Sequence, residues 1–243
     1  MISVKGKWAF ITGASRGIGK LTALFMAEQG CNLILHSRSL QHTDEVLSAV
    51  KKMGVEAYGV QANLAQHEEV VGMLDEIENK GTAVDIIFNN AAVQVPYQED
   101  YWQTPVEDFA TSFNINFTAI TTICYRLMPP MIERGFGRVI NTTSGIQNQP
   151  EQAAYSASKA ALDKFTTDIG TKLDGTGVLI NLTDPGWCRT DLGGPQAPNA
   201  PESSIPGVAV GAFVDDGKNG RLLNASNFAD MSLADAVEKA ATL

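Results

Sequence analysis

The amino-acid sequence predicts an α/β fold: a doubly wound, mostly parallel sheet with helices on both faces. Three observations carry this. Short, continuously apolar runs alternate with longer amphipathic stretches from the first residues to about position 185, and strands covered on both faces read as unbroken apolar runs. Each pair of runs is separated by enough chain for a crossover helix, and right-handed crossovers wind such helices over both faces. No internal repeat and no linker interrupts the 243 residues, so one domain is expected across 1–243.

In chain order, the apolar run Trp8–Thr12 is the first predicted strand and the amphipathic stretch Ile18–Gln29 the first helix. Strand Asn32–His36, helix His42–Met53, strand Ala57–Gln61 and helix Gln66–Asn79 follow by the same two patterns. Strand Val84–Asn89 leads to a long helix Val106–Arg134, then strand Arg138–Thr142, helix Ala153–Leu173 and strand Val178–Thr183. The last fifty or so residues differ. Leu192–Gly207 carries Gly193, Gly194, Pro195, Pro198, Pro201, Pro206 and Gly207, a density that excludes regular structure. A helix near Val208–Val214, a short strand Arg221–Asn224 and a helical tail Leu233–Ala241 are expected beyond it. A long irregular segment inside a compact domain is usually functional or disordered, and Leu192–Gly207 is expected to be a substrate lid.

A hydrophobic fraction of 44% and a charged fraction of 19% are those of an ordinary soluble globule. The net charge of −9 argues against a nucleic-acid-binding surface, which needs a basic footprint, but leaves room for a local anion pocket. Cys31, Cys124 and Cys188 are scattered and lack metal-ligand spacing, as expected of reduced thiols. Gly13 and Arg16 follow the first apolar run too closely for a signal peptide. No apolar run approaches the ~20 residues of a membrane span. A cytoplasmic protein with neither membrane nor nucleic-acid partners is the expectation.

The first strand runs into Thr12-Gly13-Ala14-Ser15-Arg16-Gly17-Ile18-Gly19 and then a helix. Gly13 allows the sharp turn, Gly17 lets a phosphate reach the backbone, and Gly19 lets helix and strand pack closely. A pyrophosphate would then meet free amides at the positive end of a helix. At the end of the second strand a carboxylate would signal a free ribose hydroxyl. The sequence instead has His36-Ser37-Arg38, with no carboxylate until Asp44. Arg38 and Arg16 could grip a 2′-phosphate with their forked donors, which favours NADP(H).

Tyr155 and Lys159 stand at i and i+4 of a predicted helix and so share one face. Bringing a phenol near neutrality requires a shift of about three units, roughly 4 kcal/mol, which one ammonium ~4 Å away can supply at an effective dielectric near 20. The pair is therefore sufficient in principle for a tuned general acid or base. Ser144 closes the preceding strand, where an open parallel sheet places its ligand, and its hydroxyl could orient a carbonyl oxygen beside the phenol. Asn89-Asn90-Ala91-Ala92 closes the fourth strand with small residues that admit a flat ring. Asn116 is a poor helix former in the middle of the long predicted helix. The turn Asp184-Pro185-Gly186-Trp187-Cys188-Arg189-Thr190 offers free amides to a carboxamide.

Together, Thr12-Gly-x-x-x-Gly-x-Gly19, Asn89-Asn-Ala-Ala92, Asn116, Ser144, Tyr155-x-x-x-Lys159 and Pro185-Gly186 resemble the short-chain dehydrogenases/reductases, over about residues 5 to 192. The resemblance implies a seven-stranded Rossmann-type sheet and a tetrad of Asn116, Ser144, Tyr155 and Lys159. It implies that Tyr155 is the general acid, Ser144 holds the substrate oxygen, and Lys159 tunes the phenol and meets the nicotinamide ribose. Asn116 would anchor a relay water. Asn63, Leu64, Asn90 and Ala91 would surround the adenosine, and Pro185, Gly186, Cys188 and Thr190 the nicotinamide end. Homodimers or homotetramers built on the Val106–Arg134 and Ala153–Leu173 helices are also implied.

The sequence departs from the family pattern at Asn63, where many relatives have aspartate, and at Ala92, where glycine is usual. Its C-terminal part lacks the common Gly-Gly ending, and Leu192–Gly207 is short. Pro129 and Thr176 stand where acyl-carrier-protein reductases tend to be basic. The expected activity is therefore reduction of a small uncharged carbonyl compound, or oxidation of the matching alcohol. The alternatives are 3-oxoacyl thioester reduction and a non-catalytic NADP(H) sensor, against which the intact tetrad speaks.

Overall fold

A computed structural model describes residues 1–243. Its sheet has seven strands, all parallel, in the order β3-β2-β1-β4-β5-β6-β7. The strands are β1 Trp8–Ile11, β2 Asn32–Ser37, β3 Ala57–Gln61, β4 Val84–Asn89, β5 Gly137–Thr142, β6 Val178–Asp184 and β7 Leu222–Asn224. The helices are α1 Gly17–Glu28, α2 Asp44–Lys52, α3 His67–Asn79, α4 Val106–Phe113, α5 Ala119–Glu133, α6 Ala153–Gly170 and α7 Leu233–Thr242. The α/β expectation holds, and the sheet is wholly rather than mostly parallel.

Two apolar cores explain the unbroken runs. Ala9 and Ile11 of β1, Leu33 and Leu35 of β2, and Ile86 and Phe88 of β4 face one core, which α1, α2 and α7 cover. Phe10, Ile34 and Ile87, one residue out of phase, face the other, which α3, α5 and α6 cover. Each strand still alternates with period two, but both of its faces are buried, so apolar side chains fill most positions and the buried polar ones, such as Asn89 and Asn141, are hydrogen-bonded.

Two expectations need correction. The single helix Val106–Arg134 is α4, a π-helical turn at Asn114–Thr118, and α5. The cause is Asn116, whose side chain is fully buried and bonds outside the helix. Val208–Val214 is not a helix and contains only a tight turn at Val210–Ala212. All seven residues are buried, and a Cβ at Gly207 would lie 2.5 Å from the Ala225 backbone, so contact on every side outweighs helical regularity. Leu192–Gly207, expected to lack regular structure, is irregular except for a turn at Pro201–Ser204. Within it Ala197 is buried, and Arg189 ties the segment down through the Ala197 and Pro198 carbonyls.

The strand order reverses between β1 and β4, and the carboxyl ends of the strands on either side open a crevice there. The glycine-rich loop, Asn89–Ala92, Thr142–Ser144 and Asp184–Gly186 all lie at those ends.

Candidate active site

The glycine-rich loop is built so closely that only glycine fits. Gly13 and Gly17 take φ of +67° and +54°, and a Cβ on Gly19 would lie 2.2 Å from the Gly13 carbonyl oxygen. Thr12 Oγ1 accepts from the amides of Asn90 and Ala91, and Asn90 Nδ2 donates to the Thr12 carbonyl, so β1 and β4 end as one unit. Ser15 is partly exposed in this loop. Helix α1 starts at Gly17, with Ile18 and Gly19 in its first turn; it has no side-chain cap and no acidic residue there. Its first amides thus meet no competing negative charge, and a diphosphate fits the cradle.

His36, at the end of β2, supports the loop from beneath. Its Nδ1 accepts from the Gly13 amide at 3.3 Å, so Nε2 carries the proton and donates to the Ala62 carbonyl at 3.0 Å. Burial depresses its pKa to about 4. One imidazole therefore joins the glycine-rich loop to Asn63 and Leu64 beyond β3. Leu64 is buried, and Asn63 closes its turn by accepting from the Ala65 amide. Ser37 is buried and donates to the Ser39 carbonyl, whereas Arg38 is exposed and makes no ion pair. Arg16 is engaged: its guanidinium lies 2.7 Å from the Asp191 carboxylate, with both side chains about two-thirds exposed (66% and 67%).

Tyr155, in the first turn of α6, is 7% exposed, and Lys159, one turn on, is 1% exposed. Lys159 Nζ donates to the Thr142 carbonyl at 2.8 Å and lies 5.8 Å from the Tyr155 ring centre. Burial lowers its pKa to about 8, against the opposing pull of Asp163 and Asp184. The expectation that Lys159 lowers the phenol is corrected here. Burial raises the Tyr155 phenol above its ordinary value, the Ser144 hydroxyl beside it draws it down, and Asp184 pushes it up again. Desolvation of the phenolate, which helix spacing does not reveal, sets the direction.

Asn116 Oδ1 accepts from the Val93 amide at 2.9 Å, and Nδ2 donates to the Val93 carbonyl at 2.9 Å and to Ser158 Oγ at 3.0 Å. The π-helical turn so pins the chain after β4 to the inner face of α6. On the other side of the crevice, Cys188 is buried and its thiol donates to the Pro185 carbonyl, while Thr190 Oγ1 accepts from the Gly193 amide. Gly186 takes φ of +76° in that turn. The Thr190 methyl lies 3.3 Å from where a Cβ on Gly17 would sit, so this loop closes against the glycine-rich one.

The fold thus gathers Asn116, Ser144, Tyr155 and Lys159 around the ends of β5 and α6, and the remaining predicted residues around the crevice beside them. Sequence reasoning missed His36 and Asp184. His36 carries a signal, a histidine at the end of an apolar strand, whereas Asp184 reads only as part of a turn. Asp163, whose carboxylate takes the Thr143 hydroxyl bond and faces Lys159, had no signal beyond lying four residues after that lysine. No group of side chains suits a metal ion, and no helix is long and apolar enough to cross a membrane.

Known proteins resemble this chain in sequence and in fold. The family model for short chain dehydrogenases matches residues 7–200. A 3-oxoacyl-(acyl-carrier-protein) reductase of Synechocystis sp. is 33% identical over 195 residues, covering 79% of this chain and 78% of that protein. Among solved structures, an NAD+-bound xylitol dehydrogenase superposes with a TM-score of 0.80 at 26% identity, covering 92% of this chain and 98% of its own. The L-sorbose reductase of Gluconobacter frateurii, complexed with NADPH and L-sorbose, gives 0.72 at 27% identity, over 78% of this chain and 72% of its own.

Proposed function

The chain belongs to the short-chain dehydrogenase family, and from that premise we propose that it is an NADP(H)-dependent oxidoreductase that interconverts a small uncharged carbonyl compound and its alcohol. The observation that carries this reading is the buried Tyr155 phenol beside Ser144, with Lys159 one turn further along α6. When bound, nicotinamide gives or takes the hydride. Ser144 holds the substrate oxygen, and Tyr155 protonates it as negative charge develops in reduction. Lys159 Nζ, buried beneath the Tyr155 ring and held by the Thr142 carbonyl, would meet the nicotinamide ribose. Asn116 keeps that helix face in place through Val93 and Ser158.

Arg38 favours NADP(H): it is exposed and unpaired where an NAD-specific site would carry a carboxylate. Gly13, Ser15, Arg16, Gly17, Ile18 and Gly19 would receive the diphosphate and 2′-phosphate side. Leu192–Gly207 would close over the substrate, and its lack of cations suits an uncharged compound. A second reading, 3-oxoacyl thioester reduction, is favoured by the Synechocystis relative.

The test is NADPH oxidation with a panel of ketones, aldehydes and 3-oxoacyl thioesters, run on the wild type and on Tyr155→Phe. The variant should lose 10²–10⁴-fold in kcat, the usual contribution of general acid catalysis, while NADPH affinity stays within about twofold. A variant within about threefold of wild type would remove Tyr155 from this role. Turnover confined to thioesters would replace the first substrate class by the second.

A further inference from the structure

Asp184 ends β6, where its backbone is held in register with Asn224 of β7, and only 8% of it is exposed. Its two carboxylate oxygens serve two different loops. Oδ1 accepts from the Gly186 amide at 2.8 Å, within the turn that follows β6. Oδ2 accepts from the Gly145 amide at 2.9 Å, on the loop that follows β5 and directly after Ser144. The fit around Oδ2 is close, since a Cβ on Gly145 would come within 3.0 Å of it.

We propose that Asp184 is a positioning residue, one carboxylate that clamps the Ser144 loop to the Pro185–Gly186 turn and so sets the distance between the group holding the substrate oxygen and the side of the crevice facing the nicotinamide. The proposal rests on the oxidoreductase reading for its consequence in catalysis, but the clamp itself stands on two hydrogen bonds. A hydroxyl or an amide at this position could not do the same. A carboxylate is acceptor-only on both oxygens, whereas asparagine would turn one acceptor into a donor facing an N–H. Mounting the carboxylate on a strand in register, rather than on a loop, gives the two loops one rigid reference.

The same charge acts on the reacting groups. The ionisable groups facing one another here are Tyr155, Lys159 and Asp163 from α6, Asp184 from β6, and Cys188, Arg189 and Glu202 from the segment after β6. Asp184 raises both the phenol and the Lys159 ammonium. Reduction needs both protonated, so removing the charge should move the alkaline limb of kcat/KM to lower pH.

The experiment compares wild type with Asp184→Asn in two measurements. Amide exchange of Gly145 and Gly186, followed by NMR without cofactor, tests the clamp without reference to activity; both amides should exchange at least about tenfold faster in the variant. NADPH oxidation against pH should then show kcat/KM down by 10- to 100-fold and the alkaline limb shifted downward, which a purely structural role for Asp184 would not produce. Unchanged exchange at Gly145, or activity within twofold with the same pH profile, overturns the proposal. Faster exchange in a protein whose wild type oxidises no NADPH with any carbonyl compound leaves the clamp standing and sinks the oxidoreductase reading instead. If Asp184→Asn does not fold, Asp184→Ser, smaller and still an acceptor for one amide, should free the other glycine; equal protection of both amides in that variant also overturns the clamp.

Discussion

His36 and Lys159 are both buried bases, and each makes stability depend on pH in a defined window. The folded-state pKa of His36 is depressed to about 4, so between there and its ordinary 6.5 the unfolded chain binds the proton first. Its contribution is fully present above pH 6.5 and is lost as pH falls towards 4, on the order of 3 kcal/mol at most. Protonation of Nδ1 also removes the acceptor for the Gly13 amide, so the glycine-rich loop should loosen in the same window. Urea midpoints at pH 7 and pH 4.5 should fall further for wild type than for His36→Gln; parallel falls would clear His36 of this role. Lys159 follows the same sign in a higher window, so its penalty is present at neutral pH. With a pKa of about 8 instead of 10.5, its charged form is destabilising at neutral pH, and stability should rise as pH climbs from 8 to 10.5. Lys159→Met should therefore melt no lower than wild type at pH 7 while losing at least 10²-fold in turnover. A clearly lower Tm would show that the Thr142 bond and the nearby carboxylates outweigh desolvation.

At the scale of elements, the ends of strands decide cofactor choice, and here the two candidate arginines are not equivalent. Arg38 projects unpaired beyond β2, whereas Arg16, at the start of α1, is held by Asp191 from the far side of the crevice. That exposed pair is worth little by itself, but it must open if Arg16 is to take a phosphate. Arg38 is therefore expected to carry most of the preference. Arg38→Ala should weaken NADPH binding 10- to 150-fold, the loss of one charge-assisted contact of 1.5–3 kcal/mol, and leave NADH nearly unchanged. Fluorescence titration of both cofactors decides it, and an unchanged NADPH/NADH ratio would rule the assignment out. The long helix teaches a related lesson. Asn116 was suspicious as a poor helix former, yet the π-helical turn it makes depends on Val93 and Ser158, which the local sequence does not reveal.

At the scale of the whole molecule, one outer face stands out. Phe117 and Phe165 meet edge to face with ring centres 6.1 Å apart, Tyr125 lies 6.1 Å from Phe165, and Tyr125 is 68% exposed. An aromatic stripe across α5 and α6 with an uncovered tyrosine suits self-complementary pairing. Light scattering should return a dimer or tetramer of the 26.0 kDa chain, and Tyr125→Glu should reduce that mass. A single species near 26.0 kDa for the wild type at micromolar concentration would end the expectation.

Taken alone, the sequence determined the sheet, most of the helices and which residues to propose for the site, because each left a local signature. Strands buried on both faces are mostly apolar, a phosphate-binding turn must have glycine where Cβ cannot fit, and Tyr155 and Lys159 share a helix face by spacing alone. Tertiary structure decided what depends on contacts distant in the chain. It set the titration of Tyr155 and Lys159, because desolvation comes from surrounding atoms and not from neighbours in sequence. It packed Val208–Val214 as turns instead of a helix, because every side of that segment is in contact. It also brought His36 under Gly13 and Asp184 between Gly145 and Gly186, since only the parallel register of the strands places those groups together.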